Sequence, residues 1–519
     1  MLWLWSLLVV IVAVVAYDLS QRRHAILRNF PVVGHFRYIL EAVGPELRQY
    51  IVTNNNEERP FSRDQRRWIY ASSKHENTYF GFGSDNDMEL SPSYLIIKHR
   101  AFPLNSPHPG ESDYDPEHSI PCQKVMGGSR GREKAFRPSS VVNISAMSFG
   151  SLSGPAVEAL NKGAALAHCL HNTGEGGVST HHLCGGDLIW QIGTGYFGCR
   201  DDQGRFSMAR LKEGVERYPH VRAIEIKLSQ GAKPGVGGFL PSRKVTPEIA
   251  AARGIPLNRD CASPGAHREF HDADSLLDFA ESIADETGLP VGIKSAIGEL
   301  GFWKDLARHM STSARGVDFI TVDGGEGGTG ASPLVFSDHV ALPFKTGFGR
   351  VHRVFDAAGI SEQVVFIGSG KLGFPEHALL AFAMGCDMIN VAREAMFAIG
   401  CIQAQRCHTN HCPTGVATQN KWLAGGLDPQ SKSVRVRNYI VALRKDLLSL
   451  SRACGASQPS LVRPDQLEFL DDRFGAQTVA ELFGRRVTWP TNDDPSTPGR
   501  DQQPQSETSP ADRETSVAQ

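Results

Sequence analysis

The chain lacks any excess of charge: across 519 residues, 54 lysines and arginines meet 56 aspartates and glutamates, for a net charge of -2. With no basic block and no zinc-knuckle spacing, no nucleic-acid partner is expected. It also lacks the cysteine density of a disulfide scaffold, since its ten cysteines are spread through a large chain and cluster only once. A dinucleotide fold is missing too. The literal G-x-G-x-x-G from Gly325 to Gly330, in DGGEGGTGASP, runs into Pro333 and an irregular stretch. A nucleotide fingerprint would open a helix and reach an acidic residue at the end of a second strand. That stretch reads as a loop lying close to a flat ligand. From Thr491 to Gln519 almost nothing apolar is available to bury, so a disordered tail is expected over 491–519.

What is present begins with a cluster of thiols. Cys401, Cys407 and Cys412 form a C-x5-C-x4-C pattern in CIQAQRCHTNHCPTGVATQ, directly after an apolar run. Thiolates this close, among polar and turn-forming residues, suit soft-metal ligation and point to an iron-sulfur site. Two other readings remain open: small buried hydrophobes, or a zinc site completed by His408 or His411, although zinc usually takes C-x2-4-C pairs. An iron-sulfur ligand set prefers a reducing compartment, which points to the cytosol.

Leu2 to Tyr17, LWLWSLLVVIVAVVAY, is uncharged and almost wholly apolar, with Trp3 and Trp5 where an interfacial belt would lie. A helix of that length spans about 24 Å, short of the roughly 30 Å hydrocarbon core, so a signal peptide is the alternative. There is no basic n-region and no A-x-A site, and Arg22, Arg23 and Arg28 follow directly. These features favour a retained single-pass anchor in the cytoplasmic membrane, with the rest of the chain facing the cytoplasm.

Downstream, short apolar runs alternate with alanine-rich helical stretches. Strands are expected over 141–149, 223–230, 289–295, 317–324, 364–370 and 387–393. Helical crossovers between them, and strand ends rich in glycine and ionisable residues, imply a parallel (β/α)8 TIM barrel. The chain then divides into an anchor (1–20), an irregular and helical extension packing on the barrel (21–130), the barrel with its cysteine knot (131–455), a C-terminal helical extension (456–490) and the tail.

Several strand ends carry chemistry. Gly368, Ser369 and Gly370 end one strand, and Asn390, Ala392 and Arg393 end the next. As the last two barrel strands these would form the usual phosphate corner, although any one glycine could simply close a turn. Lys227, Gln230, Lys233 and Lys294 fall at or near the ends of two neighbouring strands, where an ammonium must stay hydrated or meet an anion. Glu175, between glycines in NTGEGGVS, adds a carboxylate.

These segments, SAMSFGSLS, NTGEGG, IKLSQGAKPGVGG-LP, GGEGGTGASP and the cysteine knot, resemble in the same order the synthase domain of glutamate synthase. The stretch RNFPVVGHFRYILEAVGPELRQY with ERPFSRDQR further resembles membrane-tethered bacterial glutamate synthase-like flavoproteins. The resemblance implies an FMN-dependent barrel with a [3Fe-4S] cluster on Cys401, Cys407 and Cys412, fed by a separate reductase or ferredoxin. It implies hydride transfer from reduced FMN to 2-iminoglutarate, formed from 2-oxoglutarate and ammonia, to give L-glutamate. Ala146, Met147, Ser148 and Gln230 would meet the flavin, Lys294 its pyrimidine edge, and Gly324, Gly325 and Gly368 to Gly370 the ribityl phosphate. Asn390, Ala392 and Arg393 complete that corner. Glu175 and Lys233 would serve catalysis, with Lys227 on the substrate.

Departures from the family bear on the substrate. The chain opens Met1-Leu2 rather than with a cysteine nucleophile, so no glutaminase chemistry in cis is expected. Ammonia would arrive free or from a separate amidotransferase subunit, and the family's C-terminal β-helix is not expected. Phe239 stands where the family carries a glutamine that binds 2-oxoglutarate, and Val236 where it carries a glutamate. An unpaired carboxylate oxygen costs roughly 1 kcal/mol, which opens the alternatives of a more apolar oxo acid or imine, or of an electron-transfer flavoprotein without substrate chemistry.

Overall fold

A computed structural model of the chain describes residues 2–484, apart from 55, 56, 80, 85, 90 and 474. The expected disordered tail over 491–519 and the last residues of the 456–490 segment lie outside them. Eight parallel strands close into a barrel: β1 (Val142–Ile144), β2 (His171–Asn172), β3 (Leu188–Ile192), β4 (Val221–Lys227), β5 (Val291–Ala296), β6 (Phe319–Asp323), β7 (Val365–Ser369) and β8 (Met388–Val391). The expected strands match the observed ones in place; five of the six end earlier, their glycine or polar residues leaving the ladder to form the loops, and the strand expected over 289–295 runs on to Ala296. β2 and β3 were not foreseen.

The crossover helices are set by local chemistry. Ser153 accepts from the Ala156 N–H at the start of Gly154–Leu166, Asp272 from Ser275 at Ala273–Thr287, and Asp428 from Gln430 and Ser431 at Pro429–Ala453. Each cap satisfies donors that the first turn would otherwise leave unpaired. The barrel interior is polar at one level. Glu225, fully buried, accepts from Asn172 and Gln191 at 2.8 and 2.6 Å and from Thr321 at 2.7 Å. One carboxylate thus ties β2, β3, β4 and β6 together.

Outside the barrel, the helix Arg63–Lys74, with a Ser62/Gln65 capping box, packs on Pro429–Ala453 and Arg393–Ala398. Tyr94–Ile97 pairs antiparallel with Leu467–Leu470, and Ala476–Thr478 completes a three-stranded sheet. This corrects the expectation of a helical 456–490: its described residues hold two strands, two 3-10 turns and, as the only α-helix among them, the short Val479–Phe483. LEFL alternates buried and half-buried residues, the signature of a strand with one covered face.

The N-terminal helix runs over Leu2–Ser20, 19 residues, longer than the apolar run alone. At 1.5 Å per residue it spans about 28 Å. Among the described residues it is long and apolar enough to cross a membrane by length and composition.

Candidate active site

All the strand-end residues fall at one end of the barrel, because parallel strands place every C-terminus there. Lys227 and Lys294 lie side by side in the β4/β5 register, and Asp323 pairs with Ala296 and Ser369 across β5, β6 and β7. Lys294, 5% exposed, points its ammonium at the Asp323 carboxylate, 3.5 Å away. The same carboxylate oxygen accepts the Gly231 N–H at 2.9 Å. A Cβ on Gly231 would lie 1.8 Å from the Gly324 carbonyl oxygen, so only glycine lets the β4 and β6 loops meet.

Beside these loops lies a cleft lined by Glu175, Lys227, Gln230, Lys233, Val236 and Pro264, among others. The Lys227 ammonium bridges Glu175 Oε1 at 3.1 Å and Gln230 Oε1 at 2.7 Å, and Lys233 donates to the Gly237 carbonyl at 2.9 Å. Burial pushes the Glu175 carboxyl up, but Lys227, Lys233 and then Arg253 outweigh it and hold the group below the ordinary glutamate range. Burial pulls the Lys233 ammonium down to about 8, against the upward pull of Glu175. The cleft therefore holds more positive than negative charge and suits an anionic ligand, with a proton near neutrality on Lys233.

Two further groups support this cleft and were not singled out from sequence. Arg253, at the end of helix Pro247–Arg253, donates to the Phe149 carbonyl at 3.2 Å and reaches Ser148 Oγ at 3.5 Å. Its Nε is buried with no partner. His267 holds the Lys227 carbonyl at 2.9 Å and Tyr196 at 3.2 Å, and burial drops its pKa to about 4, so it is a neutral support. Neither belongs to a strand end, which is why the strand-end pattern did not reveal them.

Phe239 is not brought to the cleft. It lies in Phe239–Leu240, paired antiparallel with Cys261–Ala262, and is 51% exposed, whereas Val236 does line the cleft. Ala146, Met147 and Ser148 follow β1, with Met147 and Ser148 buried. The Ser148 hydroxyl pairs with Ser151 at 3.0 Å.

The expected phosphate corner is assembled from Gly324, Gly325, Gly368, Ser369, Gly370, Asn390, Ala392 and Arg393. Gly324 donates to the Ser369 carbonyl at 2.7 Å and Gly325 to the Leu342 carbonyl at 2.8 Å. Two additional groups enter it. The Glu326 carboxylate accepts the Phe344 N–H at 2.8 and 3.1 Å, at the first residue of helix Phe344–Ala357. Lys371, which burial lowers to about 8, reaches the Pro60 carbonyl. Arg393, buried at the start of Arg393–Ala398, donates to the Glu326 carbonyl. Arg393 and Lys371 stand 4.8 and 4.9 Å from the Phe61 ring centre.

The cysteine loop follows β8 and its short helix. Gln403, Gln405 and Asn410 all adopt positive φ, a concentration of left-handed backbone that only surrounding contacts maintain. Thr418 and Gln419 hold Asn410 from within the loop, and the N-terminal extension holds Gln403 and Gln405. Gln403 Nε2 donates to Glu58 Oε1 at 2.8 Å and to the Phe61 carbonyl at 3.0 Å, and its Oε1 accepts the Phe61 N–H at 3.1 Å. Tyr70 donates to the Cys401 carbonyl at 2.7 Å and Gln49 to the Ile402 carbonyl at 2.8 Å. Burial pushes the Cys401 thiol up to about 12; the Gln403 N–H pulls against it, and Cys407 and Cys412 add to the rise. At Cys412 burial is outweighed by the N–H groups of Ala417, Thr414 and Val416 and by the Thr414 hydroxyl, and the thiol lies below its ordinary range. The thiols thus feel one another's charge. Among the described residues, however, no three His, Cys, Asp or Glu side chains gather as a group that could hold a metal ion.

A closed (β/α)8 barrel with a cationic cleft and a glycine-rich, cationic corner at its C-terminal face defines an enzyme of the barrel class. A family profile described as "Conserved region in glutamate synthase" matches residues 122–457. The glutamate synthase large subunit-like protein YerD of Bacillus subtilis is 40% identical over 470 residues, 85% of this chain and 89% of that protein. The archaeal glutamate synthase (NADPH) of Methanocaldococcus jannaschii is 33% identical over 323 residues, covering 62% of this chain and 60% of that one. The ferredoxin-dependent glutamate synthase of Cyanidium caldarium is 33% identical over 399 residues, 71% of this chain but 22% of that much longer protein. The chain belongs to the glutamate synthase family of oxidoreductases.

Proposed function

We propose that the protein reduces the imine of a 2-oxo acid to an amino acid, with 2-iminoglutarate giving L-glutamate as the family reaction. The observation that carries this reading is the Glu175, Lys227 and Lys233 cluster in a cleft of net positive charge. Lys227 and Arg253 are suited to a substrate carboxylate. Lys233, with its pKa near 8, is suited to give a proton to the reduced nitrogen or carbon, and Glu175 keeps that lysine charged near neutrality.

FMN, when bound, supplies the two-electron reduction. The chain's own residues fit it: Gly231 and Gly324 bring two loops into backbone contact, leaving a surface without side chains beside Lys294. Ala146, Met147, Ser148 and Gln230 would meet the flavin there. Lys371 and Arg393 would give the glycine corner the positive field a phosphate needs. Cys401, Cys407 and Cys412 would hold a [3Fe-4S] cluster that accepts single electrons from a separate donor. The C-x5-C-x4-C spacing on one loop and the N–H groups that favour the thiolate at Cys412 support that set, whose thiols would have to draw together around the cluster. Helix Leu2–Ser20 would tether the chain to the cytoplasmic membrane, with the barrel on the cytoplasmic side. Ammonia would arrive free or from a separate amidotransferase subunit.

A second reading, a more apolar oxo acid, is favoured by Val236, which puts an isopropyl group in the cleft lining. Titrating the oxidised flavoprotein with 2-oxo acids and following the flavin absorbance tests both. A spectral shift with 2-oxoglutarate that is lost in Lys227→Gln supports the first reading. A shift with branched oxo acids alone supports the second. No shift with any oxo acid contradicts both.

A further inference from the structure

Helix Leu2–Ser20 does not pass into a featureless linker. Asp18, near its end, accepts the Val32 N–H at 2.9 Å and pairs with His35 Nε2 at 2.9 Å. This pins the helix to the start of Gly34–Leu47. Within that second helix Phe36, Ile39, Leu40, Val43 and Leu47 follow i, i+3, i+4, i+7, i+11 spacing, which sets them on one face. In a water-soluble helix this face would be the buried one. Here all five are exposed, from 42% at Leu47 to 63% at Phe36, and Val33, Ile51 and Val52 extend the strip at 74% each. The helix finds its main contacts in its sequence neighbours, Ala25–Asn29 and Arg48–Val52, and among the described residues nothing covers the strip.

The polar residues are ordered as well. Arg22, Arg23 and Arg28 surround the joint, and Arg37 and Arg48 flank the apolar face; all are exposed. On a different side of the same segment Glu46 pairs with Arg406 at 2.7 Å, and Gln49 donates to the Ile402 carbonyl.

We infer that residues 33–52 lie flat in the interface of an anionic lipid bilayer, apolar face inward, as a second membrane contact that is distinct from the Leu2–Ser20 anchor. Three observations select lipid as the occupant. The strip is continuous, through the Asp18 joint, with a helix apolar enough to cross a membrane. An apolar face bordered by arginines matches the headgroup boundary. Long arginine side chains can reach phosphate while their stems stay apolar. The consequence is that the cysteine loop, gripped by the opposite side of this segment, is carried close to the bilayer surface.

The inference rests on the membrane reading of Leu2–Ser20, and the test separates the two. In the full chain, a photo-crosslinking benzoylphenylalanine replaces Val10, Phe36, Val43 or Glu41 in turn. Each variant is placed in nanodiscs containing phosphatidylglycerol, irradiated and analysed by mass spectrometry. Lipid adducts are expected at 10, 36 and 43 and only background at 41, whose side chain is exposed but off the apolar face. If position 10 forms adducts while 36 and 43 stay at the level of 41, or capture protein instead, the interfacial inference is overturned and the anchor stands. If position 10 forms none, the anchor reading itself fails.

Discussion

In the proposed reaction Lys233 carries the proton, because a lysine whose pKa burial lowers to about 8 would give up its proton at a working pH more readily than an ordinary one. As a proton donor it acts only in its charged form, which is present below that pKa and lost above it. The expected profile is therefore a kcat/KM that falls as pH rises through about 8. Lys233→Gln should remove that limb and lower kcat by about 100-fold or more, measured by stopped-flow reoxidation of the flavin. At the mouth of the cleft, Val236 lines the ligand space and Phe239 does not. Val236→Glu should therefore change the KM for 2-oxoglutarate more than Phe239→Gln does. Steady-state kinetics on the two variants checks this, and a larger effect of Phe239→Gln would reverse the assignment. Lys227, Lys233 and Lys294 stood out in the sequence because ionisable residues at or near strand ends have few packing reasons to be there, and Glu175 because it sets a carboxylate between glycines. Arg253 did not, because it comes from the helix Pro247–Arg253, and only the fold brings that helix against Ser148 and Phe149 of the β1 loop, from where its charge acts on Glu175.

Among the elements, β2 and β3 show why parts of the barrel were hidden. His171–Asn172 is two polar residues long and offers no apolar period. LIWQI includes a glutamine whose burial makes sense only once Glu225 stands opposite. Such strands are specified by partners far along the chain, as is the sheet joining Tyr94–Ile97 to Leu467–Leu470. The same network gives a test. Glu225→Leu would strand the donors of Asn172, Gln191 and Thr321, at about 1 kcal/mol or more apiece. It should lower stability by at least about 3 kcal/mol in denaturant unfolding, while Glu225→Gln keeps part of the network and loses less. The cysteine loop has a parallel dependence, since its left-handed residues are held by Gln403 and the extension. Cys407→Ser should abolish bound iron and the cluster absorbance while the flavin spectrum remains. Iron content unchanged from wild type would remove the loop from the ligand set.

At the scale of the whole molecule, the extension links what the chain otherwise keeps apart. Glu46, Gln49, Glu58, Phe61 and Tyr70 hold the cysteine loop, Phe61 enters the cationic corner between Lys371 and Arg393, and the preceding helices carry the exposed apolar strip. The proposed cluster loop, cofactor corner and membrane contact would thus share one segment, while the cleft of Glu175, Lys227 and Lys233 is built by the barrel and its loops. The central claim, that this cleft reduces an imine, is tested most directly by reducing the flavin anaerobically and mixing it with 2-oxo acid and ammonium. Rapid reoxidation of the flavin with stoichiometric formation of the amino acid is the predicted result. Reoxidation no faster than in buffer, for 2-oxoglutarate and for a panel of more apolar oxo acids alike, would contradict it.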